Sequence, residues 1–134
     1  MVLKASEAYI FIVNEEKNPK QIFESYQRGE LDRGSMIKTF ISLIEGDDDK
    51  SVRLESLELL SELESRDPQI IKLIQNLLIS DSDERMRSLA LKVLIKHYLS
   101  QSHSEVRWAL ENDPSIDNLQ VIKNEVRFPS IRVN

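Results

Sequence analysis

A period of 34 residues runs through the chain and limits what it can fold into. The recurring positions carry large apolar side chains or aspartates: Phe23, Leu57 and Leu91; Tyr26, Leu60 and Leu94; Phe40 and Ile74; Asp47 and Asp81; Asp49 and Asp83. A fixed period of this size indicates one supersecondary unit that is stacked, so that neighbouring units bury what a single unit leaves exposed. The repeat predicts an architecture and leaves the function open.

Composition favours helices over turn-rich β structure. The chain has 134 residues, of which 40% are hydrophobic, with only three glycines and four prolines. This length and apolar content suit one domain with a hydrophobic core, so we expect residues 1–134 to form a single domain.

Helix starts are visible as capping residues followed by proline. Asn18-Pro19, Asp67-Pro68 and Asp113-Pro114 each place a capping side chain before a proline at the first helical position. Asp81 with Glu84 and Ser102 with Glu105 have capping-box spacing, whereas Gly29, Gly34 and Gly46 are predicted to end helices. These features, with the apolar periodicity, predict helices near 3–14, 19–28, 35–45, 50–64, 68–79, 83–99, 103–112 and 115–124.

The two ends of the chain are less regular. Residues 8–13 (AYIFIV) fit a strand by composition, but the repeat register favours a helix there. The tail from Glu125 to Asn134 alternates apolar residues around Pro129 and is predicted to be extended.

The stretch from Asp49 to Leu78 resembles a short HEAT repeat. It combines Asp49, Val52-Arg53 and a small residue at Ser56, followed by Asp67-Pro68 and a leucine-rich second helix. The resemblance is clearest over Asp47 to Tyr98. It implies an all-α fold, an α-α superhelix of about three helical hairpins (repeats near 13–46, 47–80 and 81–112), with a helical cap and an extended tail over 113–134.

In HEAT proteins the recurring aspartates and arginines form a hydrogen-bonded ladder between neighbouring repeats. By this resemblance Asp49, Arg53, Asp83 and Arg87 are structural residues. The second helices of HEAT hairpins line a concave surface, whose polar positions here include Lys38, Ser42, Lys72, Gln75 and Asn76.

The sequence contains no assembled catalytic motif. The two histidines, His97 and His103, are not followed by glutamate, so the His-Glu pattern of di-iron HEAT enzymes is absent. The chain also has no cysteine, no phosphate-binding glycine loop and no nucleophile elbow. Aspartates before helices are expected as caps rather than as cation ligands. We therefore expect a protein that is not an enzyme and that holds no cofactor and no metal.

The acidic charge is concentrated in one region. The net charge is −5, and the stretch from Glu45 to Asp67 holds nine acidic and three basic residues. Phosphate would be repelled there, so we expect no nucleic-acid partner. Glu55, Glu58 and Glu62 share one helix face, either as a solvated surface, which we favour, or as a site for a basic partner. Because no apolar run is long enough to span a bilayer and no leader sequence is evident, we expect a cytoplasmic protein without membrane contacts.

Residues for binding are predicted on the second helices and near the only tryptophan. Candidates are Lys38, Ser42, Lys72 and Asn76 on the polar row, together with Arg107 and Trp108, since tryptophan and arginine dominate many interfaces. The alternative, which we favour for Trp108, is that a last helix with Ile116, Leu119 and Ile122 covers it as a cap.

The function that these observations favour is a non-catalytic interaction scaffold that binds another protein through a helix-lined face. Two alternatives remain open from the resemblance: a ligand-handling or accessory enzyme of the bilin-lyase type, and a nucleic-acid-binding protein like the HEAT-like DNA glycosylases. Oligomeric state and the identity of the partner are not predicted.

Overall fold

The computed structural model describes residues 18–115 of the chain. The helices predicted near 3–14 and 115–124, the choice between helix and strand at 8–13, and the extended tail lie outside these described residues, apart from the first residue of the 115–124 prediction.

The described part is all α-helical, as the sequence predicts. Six helices and one 3-10 turn follow each other without a strand in residues 18–115: α1 (Pro19–Gln27), α2 (Arg33–Gly46), α3 (Lys50–Glu62), α4 (Pro68–Ser80), α5 (Glu84–His97), the 3-10 turn (Leu99–Gln101) and α6 (His103–Asn112). Each bound lies within about two residues of its predicted place. No helix in this range combines the length and hydropathy that crossing a lipid bilayer requires.

The helices group into two compact units, divided between Glu64 and Ser65. Unit 1 contains α1, α2 and α3, and unit 2 contains α4, α5 and α6. The division falls within the second predicted repeat. The single domain over 1–134 and the superhelix therefore stay predictions, and each unit is described by itself.

In unit 1, α2 packs along α3 and α1 contacts both. The core is formed by fully or almost fully buried side chains: Ile22, Met36, Phe40, Leu43, Ile44, Leu57 and Leu60. Burying a side chain of this size contributes about 1.5–3 kcal/mol. Because helices of this length are marginal in isolation, this shared core holds them in place.

In unit 2, α4 and α5 form the closest helix pair and α6 packs on both. Its core comes from one face of each helix: Ile70, Ile74, Leu78, Met86, Leu91, Leu94, Val106 and Ala109. The apolar periodicity that predicts α4 matches its buried face, which consists of Ile70, Ile71, Ile74, Leu77 and Leu78.

The predicted capping residues before proline are confirmed for α1 and α4. The Asn18 side chain accepts hydrogen bonds from Lys20 N and Gln21 N, and the Asp67 Oδ1 accepts one from Gln69 N at 2.9 Å. Capping residues fix where each helix begins, because their side chains accept hydrogen bonds from N–H groups that have no partner within the helix.

Neither predicted capping box forms its hydrogen bonds, although Ser102 is the N-cap residue of α6 as predicted. Asp81 ends α4, and the residue that caps α5 is Asp83, whose Oδ1 accepts a hydrogen bond from Arg85 N. The Ser102 side chain does not cap α6, because its hydroxyl accepts a hydrogen bond from Gln75 instead. The Ser102 hydroxyl thus contacts Gln75, which is distant in sequence, in place of a backbone N–H in the first turn of α6.

Gly29 ends α1 in the predicted way. Its φ of +78° lies in the left-handed region, and its N–H donates to Tyr26 O while Glu30 N donates to Ser25 O, which is the Schellman pattern. The prediction for Gly34 is wrong, since this residue lies in the first turn of α2, which Asp32 caps through Ser35 N. Gly46 is the last residue of α2 and has no positive φ.

The two glycines at helix ends give a matched pair of substitutions. We expect Gly29→Ala to lower the free energy of unfolding by about 1 kcal/mol, because a Cβ strains the left-handed backbone even though no atom lies within 4 Å. Gly46→Ala also meets open space but keeps an ordinary φ, so it should stabilise by about 0.4–1 kcal/mol. Chemical denaturation of both variants measures the difference, and equal effects would contradict the assigned backbone conformations.

A hydroxyl in α3 is buried without a hydrogen-bond partner in residues 18–115. Ser56 is fully buried, and its Oγ makes no hydrogen bond with any described residue. The equivalent position one period later is Ala90, which is also fully buried. The hydroxyl therefore adds a desolvation cost at a position where the other repeat has only a methyl group.

We expect Ser56→Ala to raise the free energy of unfolding by about 0.5–1 kcal/mol, since it removes the unpaired hydroxyl and improves helix propensity. Leu60→Ala, one turn further along the same buried face, should cost about 2–5 kcal/mol. Glu58→Ala, on the exposed face, should stay within about 0.5 kcal/mol. Denaturant titrations that rank Glu58→Ala with Leu60→Ala would show that the helix faces are assigned wrongly.

Candidate interaction surface

The exposed side of α4 carries three residues of one stripe. Lys72, Asn76 and Ile79 are spaced i, i+4 and i+7 and are all exposed. This spacing places them on one helix face, opposite the buried isoleucines and leucines of α4. The stripe combines a cation, an amide and an apolar side chain that is 36% exposed.

On α6, Trp108 is 44% exposed, although tryptophan usually buries most of its surface. The backbone carbonyl of Trp108 accepts a hydrogen bond from the Asn112 amide at 2.9 Å. Arg107, beside it, is half-buried. The residues predicted to cover Trp108 as a cap, Ile116, Leu119 and Ile122, lie outside the described residues.

Gln75 connects α4 to the start of α6. This half-buried residue lies in the middle of α4, and its Nε2 donates to the Ser102 Oγ at 3.1 Å and to the Gln101 carbonyl at 2.9 Å. Gln75 was predicted as part of the polar row, but its amide is used inside unit 2. It therefore positions α6 rather than facing a partner.

Arg87 connects the ends of α4 and α6. Its Nη1 donates to the carbonyl of Asp81 at 2.7 Å, its Nε to the Asp113 Oδ2 at 2.8 Å, and its Nη2 to the Ser115 hydroxyl. Arginine suits this position because its planar fork directs several donors at fixed angles. Gln75, in the middle of α4, contacts the start of α6, and Arg87 joins the end of α4 to the end of α6. α6 therefore runs in the same direction as α4.

This direction brings the exposed apolar residues to one end of unit 2. Ile79 lies two residues before Asp81 at the end of α4, and Trp108 lies about one turn before the end of α6. Among the described residues, they are the large hydrophobic side chains that stay exposed. We name Lys72, Asn76, Ile79 and Trp108 the α4–α6 surface.

An aspartate ends each of three helices in the same way. Asp47, Asp81 and Asp113 follow α2, α4 and α6. Each donates its N–H to the carbonyl four residues earlier, and its Oδ1 accepts the N–H two residues later, at 2.7, 2.9 and 3.0 Å. The first two are one period apart, whereas Asp113 follows after only 32 residues, since α6 is shorter than α4.

The residues of the implied HEAT ladder have local structural partners. Asp49 and Asp83 cap their own helices, and the Arg53 Nε donates to the Ile44 carbonyl at 2.7 Å. The closest carboxylate to Arg87 in the described contacts belongs to Asp113 rather than to a ladder aspartate. Sequence reasoning treated Asp113 only as a cap, because the shorter repeat removed it from the 34-residue register.

The environment of Asp113 changes its acidity. Burial raises the pKa of this carboxyl, but the hydrogen bonds from the Ser115 hydroxyl and N–H and from Arg87 outweigh burial, so the pKa lies below its ordinary value. The Asp113 side chain is 9% exposed and that of Arg87 is 18% exposed, so solvent screens this pair only partly.

The other two predicted residues, Lys38 and Ser42, lie on α2 in unit 1. Both are exposed and are spaced i and i+4, one period before Lys72 and Asn76. Lys72, Asn76, Arg107 and Trp108 all belong to unit 2, whereas Lys38 and Ser42 belong to a separate compact unit. Ile79 was missed, although the sequence offered a signal: it is an isoleucine outside the buried stripe of its helix.

Within residues 18–115, no three histidine, aspartate or glutamate side chains converge in a way that would hold a metal ion. The aspartates near the helix starts are instead occupied as caps and turn residues. Compared with protein-family models, with curated proteins and with solved structures, the chain gives no significant match.

Loss of the Asp113 carboxylate should make unit 2 less stable and less sensitive to acid. We expect Asp113→Asn to cost about 1.5–3 kcal/mol at neutral pH, since Arg87 loses a charged acceptor. Because the folded pKa is lowered, this stabilisation is present above the unfolded pKa of about 3.9 and disappears as the pH falls through the folded pKa. The difference between wild type and variant should therefore shrink in acid.

Urea titrations between neutral and strongly acidic pH measure this difference. Glu30→Gln is the matched control, because Glu30 also pairs with an arginine, Arg28, but both side chains are more than half exposed. Solvent screening should leave its free energy of unfolding unchanged. A constant gap between wild type and Asp113→Asn at all pH values would contradict the role assigned to the carboxylate.

Proposed function

We propose that the protein is a non-catalytic, HEAT-like interaction module that binds another protein through the α4–α6 surface. The observation that carries this proposal is the exposure of Trp108 and Ile79 at the same end of unit 2. Large apolar side chains that stay exposed beside a polar row are typical of protein–protein binding sites.

The HEAT-like assignment is supported by the repeated features of the helix ends. Aspartates with the same two hydrogen bonds follow α2, α4 and α6, and Arg53 and Arg87 occupy equivalent positions one period apart. Each arginine donates to a backbone carbonyl near the end of the preceding helix, Ile44 or Asp81. Such repeated geometry is expected when one structural unit has been stacked.

The composition of the α4–α6 surface indicates how it would recognise a partner. Trp108 supplies a large rigid contact area, with Ile79 as a second apolar contact. Lys72 and Asn76 supply a positive charge and hydrogen-bonding groups on the same face of α4 as Ile79. A matching partner is a protein that presents an apolar patch bordered by carboxylates or carbonyls. We expect this chain itself to be a cytoplasmic protein.

Affinity capture with purified variants tests the proposal. We expect Trp108→Ala to weaken binding of a captured protein at least about tenfold, since truncating an interface tryptophan commonly costs 2 kcal/mol or more. Lys20→Ala is the control, because Lys20 is exposed on α1 in unit 1. Proteins retained equally by wild type and both variants would count against the α4–α6 surface.

A second readout separates binding from folding. The unfolding midpoint of Trp108→Ala should stay near that of wild type, because the indole is only partly buried. Ile79→Ala should show a smaller loss of binding with the same partner. If neither substitution changes any captured protein, the proposed function is wrong.

A further inference from the structure

The exposed faces of α3 and α5 carry opposite charges at equivalent positions. The acidic stripe of α3 consists of Glu55, Glu58 and Glu62. One period later the corresponding residues of α5 are Leu89, Lys92 and Lys96. Arg85, one turn before Leu89, extends this second face, and we name Arg85, Lys92 and Lys96 the basic stripe.

Both stripes face away from the helix cores. On α3 the buried residues are Ser56, Leu57, Leu60 and Ser61, and on α5 they are Met86, Ala90, Leu91, Val93 and Leu94. Glu58, Glu62 and the residues of the basic stripe are exposed, and Glu55 is half-buried.

Most charged side chains of the two stripes form no ion pair in the described part of the chain. Arg85 has a carboxylate nearby, with its Nη2 3.6 Å from the Asp83 Oδ2. The side chains of Glu58, Glu62, Lys92 and Lys96 form no hydrogen bond or ion pair within residues 18–115. Each stripe thus presents charges that a partner could neutralise.

The spacing of the charges is matched between the stripes. Glu58 and Glu62 are four residues apart, as are Lys92 and Lys96, and four residues of helix rise about 6 Å. Two helices laid side by side therefore bring both pairs into register in either relative direction. Each copy of the protein carries both stripes. A second copy therefore presents the charge and spacing that either stripe requires.

We propose that the basic stripe of one copy binds the acidic stripe of a second copy. The contact joins two different surfaces of identical chains, so its specificity comes from opposite charge. Exposed ion pairs are individually weak, and the association is therefore weak, reversible and sensitive to salt. This inference is independent of the α4–α6 surface and of the proposed function.

Sedimentation velocity over micromolar to millimolar protein concentration tests the proposal. At low ionic strength we expect the mean sedimentation coefficient to rise with concentration. In about 0.5 M salt, where the Debye length is about 4 Å, this rise should disappear. A monomer at every concentration in low salt would overturn the proposal.

Charge-reversed variants identify the surfaces. Glu58→Lys with Glu62→Lys makes both faces basic, and Lys92→Glu with Lys96→Glu makes both acidic, so neither double variant should associate alone. An equimolar mixture should associate, as should a chain that carries all four substitutions. Self-association that persists in either double variant alone would show that other surfaces are responsible.

Two controls complete the experiment. Lys20→Glu, which reverses a charge on α1, should associate like wild type, and chemical denaturation should show that every variant is folded. Trp108→Ala should also associate like wild type, which keeps a failure here distinct from a failure of the proposed function. Binding of heparin through Lys92 and Lys96, without self-association, would replace the second copy with a polyanion and overturn the proposal.

Discussion

The hydrogen-bonded aspartate that follows α2, α4 and α6 sets much of the described structure. Each of these aspartates keeps its own N–H in the last helical hydrogen bond and uses its side chain to accept the N–H two residues later. The turn between α4 and α5 is therefore only three residues long (Asp81, Ser82 and Asp83), and it fixes which faces of the two helices pack together. Helices of 10–14 residues need a turn that orients their apolar faces towards each other, because they are stable only when those faces pack together.

Unit 2 adds side-chain contacts that set the position of α6. Gln75 holds its start and Arg87 holds its end, and both use polar groups that would otherwise be costly to bury. Arg87 serves two backbone turns at once, through the Asp81 carbonyl and the Asp113 carboxylate. One side chain thus links the end of α4 to the end of α6.

Local signals in the sequence predicted the helices, whereas tertiary contacts escaped prediction. Asn18-Pro19 and Asp67-Pro68 specify helix starts through atoms within three residues, so no knowledge of the fold was needed. Ser102 also has a local capping signal, its spacing from Glu105, but its hydroxyl accepts a hydrogen bond from Gln75, 27 residues away. The pairing of Arg87 with Asp113 was missed for a related reason, since the shorter α6 shifts Asp113 out of the repeat register.

The candidate surfaces were predicted unevenly for a physical reason. Buried positions repeat in type, because packing restricts them to apolar or small side chains, as at Leu60 and Leu94. Exposed positions are not restricted in this way, so Glu45 is followed one period later by Ile79, and Glu58 by Lys92. The repeat pattern therefore predicts the core well and gives little information about what the surface binds.

Exposed residues that differ in type between positions one period apart are candidates for a binding function. A position that is exposed in two equivalent helices has no packing reason to change from glutamate to isoleucine or lysine. On α4 the change to Ile79 adds an exposed apolar side chain, and on α5 the change to Lys92 reverses the charge. Because each stripe lies opposite the buried face of its own helix, substitutions there leave the core intact. Substitutions on either surface can therefore test the proposed binding without changing the fold.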